Sequence, residues 1–188
     1  MPIGFSDLHK GIAIELDGKP YEVLEYTRQK MQQRAPVIRL KLRGIKDSKV
    51  FERAFQSYTN EFTLADVESS AAQYLYNDGL FYTFMDLETY DQYQLSGDQL
   101  GTALDYLVEE ATVDIISYNG KAINVKLPSS VALTVTDTPP GVKGDTAQGG
   151  TKPAMLETGI KTQVPLFINA GESIRIDTRT GEYLERAR

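Results

Sequence analysis

Six basic residues fall within sixteen consecutive positions, and no acidic residue lies among them. Residues 29–36, in the middle of this run, read QKMQQRAP and are mainly polar and basic. Extended basic side chains on a protruding loop suit contacts with phosphate groups. The alternative interpretation is a solvated hairpin without a ligand. The six are Arg28, Lys30, Arg34, Arg39, Lys41 and Arg43.

Groups that could perform catalysis are sparse. His9 is the only histidine, and no nucleophile motif surrounds it, so we interpret it as a surface residue. Glu109 and Glu110 are adjacent and would point in different directions on a helix. There is no cysteine, no glycine-rich phosphate loop and no paired-histidine motif, which argues against disulfides and thiolate metal sites. We therefore expect no enzyme, no metal and no cofactor.

The charge is distributed unevenly along the chain, whose net charge is -6. Residues 1–64 hold 11 Lys and Arg against 8 Asp and Glu, residues 65–128 hold 2 against 11, and residues 129–188 hold 7 against 7. The three segments thus carry +3, -9 and 0. A basic patch that binds nucleic acid is a local property, so the negative total does not exclude one. The acidic middle either serves solubility or repels polyanions along a path between them.

Turn signals at short intervals separate runs rich in Val, Ile, Tyr and Phe, a spacing typical of β-barrels and sandwiches. One segment differs: Ser96–Glu110 places leucines at i, i+4 and i+7 after a serine that could cap a helix. The pattern predicts an all-β chain with a single short helix. The strand-like runs are Ile12–Leu16, Tyr21–Tyr26, Val37–Leu42, Leu80–Met85, Val113–Tyr118, Ala122–Leu127 and Val131–Thr136.

Two boundaries suggest three domains of about 60 residues each. The charge changes sign near residues 60–65, and a breaker, Pro128-Ser129-Ser130, separates two strand-like runs. We predict domains over residues 1–64, 65–128 and 129–188. The N-terminus lacks the pattern of a signal peptide, and no apolar run is long enough to span a membrane. A cytoplasmic protein without membrane contact is expected.

Residues 152–183, KPAMLETGIKTQVPLFINAGESIRIDTRTGEY, resemble the C-terminal signature of the bacterial elongation factor P family. The middle of the chain resembles the second-domain motif of that family through YLYNDGLFYTFMDLETY at residues 74–90. With residues 39–43, RLKLR, the resemblance covers nearly the whole chain. It implies three small β-barrels in a row, one SH3-like and two OB-like, with the helix in the middle domain.

The same resemblance implies a non-enzymatic translation elongation factor. Such a protein binds the 70S ribosome, with contacts to both subunits, between the P and E sites. It stimulates peptide-bond formation at stalled polyproline sequences by positioning the P-site tRNA, notably prolyl-tRNA. A monomer without a cofactor is implied.

In the family, the basic hairpin reaches the peptidyl-transferase centre beside the CCA end of the P-site tRNA. Its usual tip reads Lys-Pro-Gly-Lys-Gly or Lys-Pro-Gly-Arg-Gly, and the central Lys or Arg is often modified by an enzyme. Alignment without a gap places the tip on Gln33, with Arg34 one residue later and Lys30 and Met31 before it. We interpret Arg34 as the effective tip and the candidate modified residue, which a modifying enzyme would bind. An unmodified tip is the alternative.

Further contacts follow from the resemblance. The Gly144-Asp145-Thr146 loop would lie by the E-site codon, although Gly and Asp are also ordinary turn residues. Tyr183 and Arg186 match positions that face the tRNA, and a surface tail is the competing interpretation. The cations expected to contact the RNA backbone are Arg28, Arg39, Lys41 and Arg43.

One other function fits the residues. An OB-type module could bind single-stranded RNA or an oligosaccharide without any ribosomal role. Tyr74, Tyr76, Tyr82 and Tyr90 would then stack on the ligand.

Overall fold

A computed structural model describes residues 2–31, 34–56, 61–141 and 150–187, with the backbone alone for Phe5, residues 28–31 and 34–36, and Gln56. The chain divides into two compact units, one of residues 1–70 with 115–124 and the other of residues 71–114 with 125–188. The division into domains at 1–64, 65–128 and 129–188 stays a prediction.

The first unit contains a six-stranded sheet with the order β1-β6-β2-β3-β4-β5. Its strands alternate apolar and polar residues, which places one set of side chains in a core and the other in solvent. The strands are β1 (Pro2–Ile3), β2 (Ala13–Leu16), β3 (Lys19–Met31), β4 (Arg34–Gly44), β5 (Val50–Gln56) and β6 (Phe62–Leu64), with a short 3₁₀ turn at Phe5–Asp7.

The hairpin of β3 and β4 is the longest feature of this unit. Its pairing runs antiparallel from Tyr21 opposite Gly44 to Met31 opposite Arg34, with a bulge at Leu24 that shifts the register by one residue. Among the residues whose side chains are described, the hairpin contributes Val23, Ile38, Leu40 and Leu42 to the core. The core consists of Leu8, Ile14, Val23, Ile38, Leu40, Leu42 and Phe62.

Residues 115–124 belong to the same unit through specific polar contacts. The Tyr118 hydroxyl donates to the Glu15 carboxylate at 2.6 Å, which raises the pKa of Tyr118. The Asn124 amide donates to the carbonyl oxygen of Ile45 at 2.9 Å. These bonds explain why a segment distant in sequence clusters with the N-terminal barrel.

A second sheet has the order β11-β10-β7-β8-β9. Its strands carry many β-branched and aromatic residues, which favour a pleated and half-buried surface. Ala72, Tyr74, Phe84 and Leu95 are buried on it. The strands are β7 (Val67–Asn77), β8 (Phe81–Asp86), β9 (Gln92–Ser96), β10 (Thr112–Tyr118) and β11 (Lys121–Lys126).

The helix after β9 is shorter than predicted. One α-helical turn, α1 (Gly97–Leu100), continues as a 3₁₀-helix over Gly101–Tyr106 rather than to Glu110. Gly101 has a φ of 52° and a ψ of -126°, a conformation that glycine adopts more readily than other residues and that interrupts the α-helix. At the start, the backbone N–H of Ser96 donates to the Gln99 side chain at 3.0 Å, one half of a capping box.

The third sheet has the order β14-β13-β12-β15-β16. Numbered within its own segment, this is 3-2-1-4-5, the same order that the second sheet has in reverse. Contacts between β14 and β16 bring its two ends together, as in a five-stranded OB barrel. The strands are β12 (Ser130–Asp137), β13 (Thr151–Leu156), β14 (Lys161–Pro165), β15 (Ser173–Asp177) and β16 (Tyr183–Arg186).

The core of this last sheet is built from inward positions of β12, β13, β14 and β15, together with Ile168, which follows β14. Tyr106, the last residue of the 3₁₀-helix, and Val108 pack against this core within the second unit. The predicted all-β class with one short helix is confirmed. In the described part of the chain, no helix has the length and apolar character needed to cross a membrane. The buried core residues are Leu133, Val135, Ala154, Leu156, Val164, Ile168, Ile174 and Ile176.

Candidate nucleic-acid interface

Strand β4 presents its cations on the face opposite the core. Ile38, Leu40 and Leu42 are buried, and the residues between them, Arg39 and Lys41, point to the other side because side chains alternate along a strand. Arg43 continues this outer face. The sheet therefore displays three of the predicted RNA contacts in a line.

Acidic residues from the neighbouring strands meet two of these cations. Arg43 lies opposite Glu22 and forms an ion pair with its carboxylate. Lys41 lies between Glu25 of β3 and Glu52 of β5. Carboxylates directly across a strand pair attract the opposite charge and reduce the positive potential there.

Arg39 has different neighbours. The residues opposite it are Thr27 on β3 and Ala54 on β5. No ion pair joins Arg39 to another side chain in the described part of the chain. An exposed guanidinium with no carboxylate directly opposite it on either neighbouring strand is better placed for a phosphate than Lys41 or Arg43.

The face forms a shallow depression of about 170 Å³, lined by Glu25, Thr27, Arg39, Lys41 and Glu52. Sequence reasoning counted only the cations of residues 28–43 and missed the acids. A regular pairing of β3 with β4 could have predicted their acidic neighbours from the sequence. The bulge at Leu24, however, shifts the register by one residue and changes which residues face each other.

The predicted tip lies at the end of this hairpin. Arg28, Lys30 and Met31 belong to β3, and Arg34 begins β4, with the backbone alone described for all four. Gln33 lies outside the described residues, and so the choice between Gln33 and Arg34 as the tip stays a prediction.

Gly144, Asp145 and Thr146 lie outside the described residues, but both ends of their loop are anchored. Lys152 is buried, and its ammonium donates to the carbonyl oxygen of Pro139 at 2.7 Å. The Thr138 hydroxyl donates to the carbonyl oxygen of Pro153 at 2.9 Å. These bonds tie the strand that enters the loop to the strand that leaves it.

Gly141 adds a third anchor. A Cβ atom at this position would lie 2.3 Å from the carbonyl oxygen of Leu166, a distance that no side chain tolerates. The backbone at Gly141 therefore approaches Leu166 as only glycine can.

Arg186 is bound by its own barrel. Its Nε lies 3.2 Å from the Glu172 carboxylate, its Nη2 donates to the carbonyl oxygen of Phe167 at 3.0 Å, and the guanidinium lies 4.8 Å from the centre of the Phe167 ring. Tyr183 is half-buried against the C-terminal core. Both predicted tRNA contacts thus have a structural role, which their sequence positions did not reveal.

The tyrosines of the alternative function are not equivalent. Tyr74 is buried, with its ring centre 5.4 Å from that of Phe84, and burial raises the pKa of its hydroxyl. Tyr76 and Tyr90 are exposed. Tyr74 serves the core and has no free face for a ligand.

Among the described residues, no group of three His, Cys, Asp or Glu side chains could hold a metal ion.

Three family models match the chain in succession. The elongation factor P KOW-like domain matches residues 5–59, the elongation factor P OB domain matches residues 67–125, and the elongation factor P C-terminal model matches residues 131–186. Together they account for most of the chain.

The chain belongs to the elongation factor P family. Curated relatives named elongation factor P match over nearly their full length. The protein of Caldanaerobacter subterraneus subsp. tengcongensis is 49% identical over 184 residues, and that of Pelotomaculum thermopropionicum is 46% identical over 184 residues. In each case the match covers 98% of this chain and 99% of the relative.

A solved structure shares part of the fold. Eukaryotic translation initiation factor 5A from Methanococcus jannaschii superposes with a TM-score of 0.53 at 19% identity, covering 68% of this chain and 92% of that one. At this identity the likeness concerns the fold alone. The family membership makes the chain a translation factor.

Proposed function

We propose that this translation factor binds the 70S ribosome between the P and E sites and stimulates peptide-bond formation where polyproline sequences stall it. The observation that carries the proposal is the succession of three elongation factor P domain matches along the chain. The long hairpin of β3 and β4 supports it, because a remote catalytic centre requires a long reach.

The mechanism is one of orientation. Proline is a sterically constrained donor and acceptor of the peptide bond. A tip that holds the CCA end and the nascent chain in a reactive geometry lowers the entropic cost of aligning the two reactants. Binding of the rest of the protein to the ribosome supplies the energy for this alignment. The chemistry then stays with the ribosome, and the protein needs no catalytic group of its own.

The residues of the hairpin have different proposed roles. Arg34 is the proposed tip, with Lys30, Met31 and Gln33 beside it. Arg39 on the outer face of β4 is the proposed main contact with the RNA backbone, since the other two described cations of this strand have acidic neighbours. Lys41 and Arg43 add less, and Arg28 lies nearer the tip.

The C-terminal barrel supplies the second point of attachment. The Gly144-Asp145-Thr146 loop is proposed to lie by the E-site codon, held by the anchors of Lys152 and Gly141. Tyr183 and Arg186 are proposed to stand near the tRNA. A tip-modifying enzyme is a partner only if Arg34 carries a modification, which the intact mass of the native protein would reveal.

Reconstituted translation tests the proposal. Ribosomes programmed with a message for three consecutive prolines should stall without the protein and complete the peptide with it. A message without prolines is the control and should respond little. The protein should also co-sediment with stalled 70S particles well above its retention by free RNA. Equal retention by free RNA, with no effect on polyproline synthesis, would favour the RNA-binding module instead.

A further inference from the structure

The second unit holds an open pocket beside the 3₁₀-helix. Its volume is about 410 Å³, within the range of roughly 300–1,000 Å³ common for ligand sites. None of its lining residues has a role in the proposed action on the ribosome. The lining consists of Tyr82, Leu104, Leu107, Val108, Glu109, Glu157 and Thr158.

Aliphatic side chains from the end of the helix and the residues after it make one wall of this pocket. Leu107 is buried, and Leu104 and Val108 are half-buried. Val108 also packs against the C-terminal core, so the packing of the unit holds the wall in place. A hydrocarbon chain that lies against this wall leaves water, which favours binding.

The charged groups in the lining are both acidic. They are the exposed side chains of Glu109 and Glu157. In the described part of the chain, no Lys or Arg forms an ion pair with either carboxylate. One oxygen of Glu157 accepts a hydrogen bond from the backbone N–H of Thr134 at 2.6 Å, which fixes this carboxylate. The pocket therefore attracts cations and repels phosphates.

The Thr158 hydroxyl is a separate indication of a ligand. Its oxygen is buried and has no hydrogen-bond partner among the residues that the structure describes. Buried polar atoms without a partner are rare, because each one costs free energy in the folded protein. A ligand that donates a hydrogen bond to this oxygen would remove that cost.

Tyrosine oxygens add to the negative potential. The ring centres of Tyr82 and Tyr74 are 6.0 Å apart. Burial raises the pKa of the Tyr74 hydroxyl, and Tyr82 and the Glu109 carboxylate raise it further. Surroundings that disfavour a phenolate through nearby negative charge favour a cation.

We propose that this pocket binds a linear aliphatic polyammonium compound. The hydrocarbon chain lies along the aliphatic wall, and the ammonium groups donate to the carboxylates of Glu109 and Glu157 and to the Thr158 hydroxyl. An ammonium group has three donors and no acceptor, which suits a lining of acceptors. A compact inorganic cation would leave the aliphatic wall in water, and a neutral ligand would leave both carboxylates unpaired.

Isothermal titration calorimetry of the full chain with spermidine at physiological salt tests the proposal. We expect saturable binding that Glu109→Gln with Glu157→Gln weakens about 5- to 30-fold, as for two ion pairs in the upper part of the surface range. A glutamine at position 157 still offers an oxygen to the N–H of Thr134, so the turn is kept. Glu88→Gln with Glu110→Gln removes the same charge at exposed positions outside the pocket and should leave the affinity unchanged.

Thr158→Val separates a ligand contact from a structural role. Valine has nearly the shape of threonine but lacks the hydroxyl, so the stability in urea should stay the same or rise. The affinity for spermidine should nevertheless fall about 2- to 10-fold, as for one lost hydrogen bond. Unchanged affinity would show that the Thr158 hydroxyl does not contact the ligand.

Two further cations test whether the hydrocarbon chain matters and where it comes from. Hexaamminecobalt(III) has the charge of spermidine without the chain, and tetralysine carries its ammonium groups on a peptide. We expect both to bind more weakly than spermidine. Equal affinity for hexaamminecobalt(III), or equal weakening by the control pair, would reduce the effect to diffuse attraction and overturn the proposal. Tighter binding of tetralysine would assign the pocket to a basic protein segment and overturn it as well. These measurements need no ribosome, so a failure of polyproline rescue would leave them untouched.

Discussion

The cations of β4 and those of the C-terminal barrel carry the same charge in opposite surroundings. Arg39 stands on an outer face with Thr27 and Ala54 opposite it. Arg186 contacts the Glu172 carboxylate and the Phe167 ring. Lys152 is buried, and its ammonium donates a hydrogen bond to a backbone carbonyl oxygen. Arg39 is available to a ligand, whereas Arg186 and Lys152 stabilise the folded protein.

The partners of a charged residue therefore decide its role. A guanidinium that already has a carboxylate and a ring in contact must give them up before it binds a phosphate, and that exchange offsets part of the gain. A guanidinium without such partners loses only its hydration. Counting charges along the sequence does not separate the two cases.

Lys152→Ala should have the largest effect on stability. The substitution removes the buried aliphatic part of the side chain and a hydrogen bond from a charged group. The cost of desolvating the ammonium disappears as well, which offsets part of this loss. The free energy of unfolding should therefore fall by about 2 kcal/mol. Urea unfolding followed by circular dichroism measures it, because the chain has no tryptophan. Lys161→Ala, on the neighbouring strand and exposed, is the control and should change stability by less than about 0.5 kcal/mol. Unchanged or higher stability of Lys152→Ala would mean that the buried ammonium costs as much as it contributes.

Arg186→Ala should have a smaller effect of the same kind. The lost contacts are an ion pair, a hydrogen bond and a cation–π contact at a half-exposed position, together about 1 kcal/mol. Arg175→Ala is the matched control, since its carboxylate partner, Glu185, lies 3.7 Å away. The same unfolding measurement applies to both. If Arg186→Ala were as stable as the wild type but bound ribosomes poorly, Arg186 would be a ligand-binding residue like Arg39.

Arg39→Ala should leave stability unchanged and alter only the salt dependence of ribosome binding. Each phosphate contact contributes about 0.7–0.9 to the slope of log K against log[salt]. Arg39→Ala should flatten the slope by about that amount, and Arg43→Ala by less than half of it, because Glu22 already neutralises Arg43. Sedimentation at several salt concentrations gives both slopes. Equal changes for the two variants would show that Glu22 releases Arg43 on binding.

The sequence predicted the strand-rich architecture well because alternation and turn residues are local signals. The runs at Val37–Leu42 and Val131–Thr136 lie inside β4 and β12. The helix was predicted too long because the leucine spacing continues past Gly101: Leu100 and Leu107 are both buried, although the α-helix ends between them.

The site was less predictable because it depends on residues that the fold brings together rather than on neighbours along the chain. Glu52 reaches Lys41 through the pairing of β4 with β5, and Glu172 reaches Arg186 across a separation of 14 residues. Nothing in the local sequence marks Lys152 as buried, since lysine is mostly exposed in proteins. The tip was placed by resemblance alone, and its assignment stays a prediction.

The rate of Pro-Pro-Pro synthesis on stalled ribosomes tests the central claim most directly, with wild type, Arg34→Ala and Gln33→Ala compared at saturating protein. A hairpin tip contributes little to the core, so both variants should unfold like the wild type. We expect the wild type and Gln33→Ala to restore synthesis and Arg34→Ala to lose most of that effect while it still binds ribosomes. Wild-type rescue by Arg34→Ala with loss in Gln33→Ala would move the tip to Gln33. No stimulation by the wild type would contradict the proposed function itself.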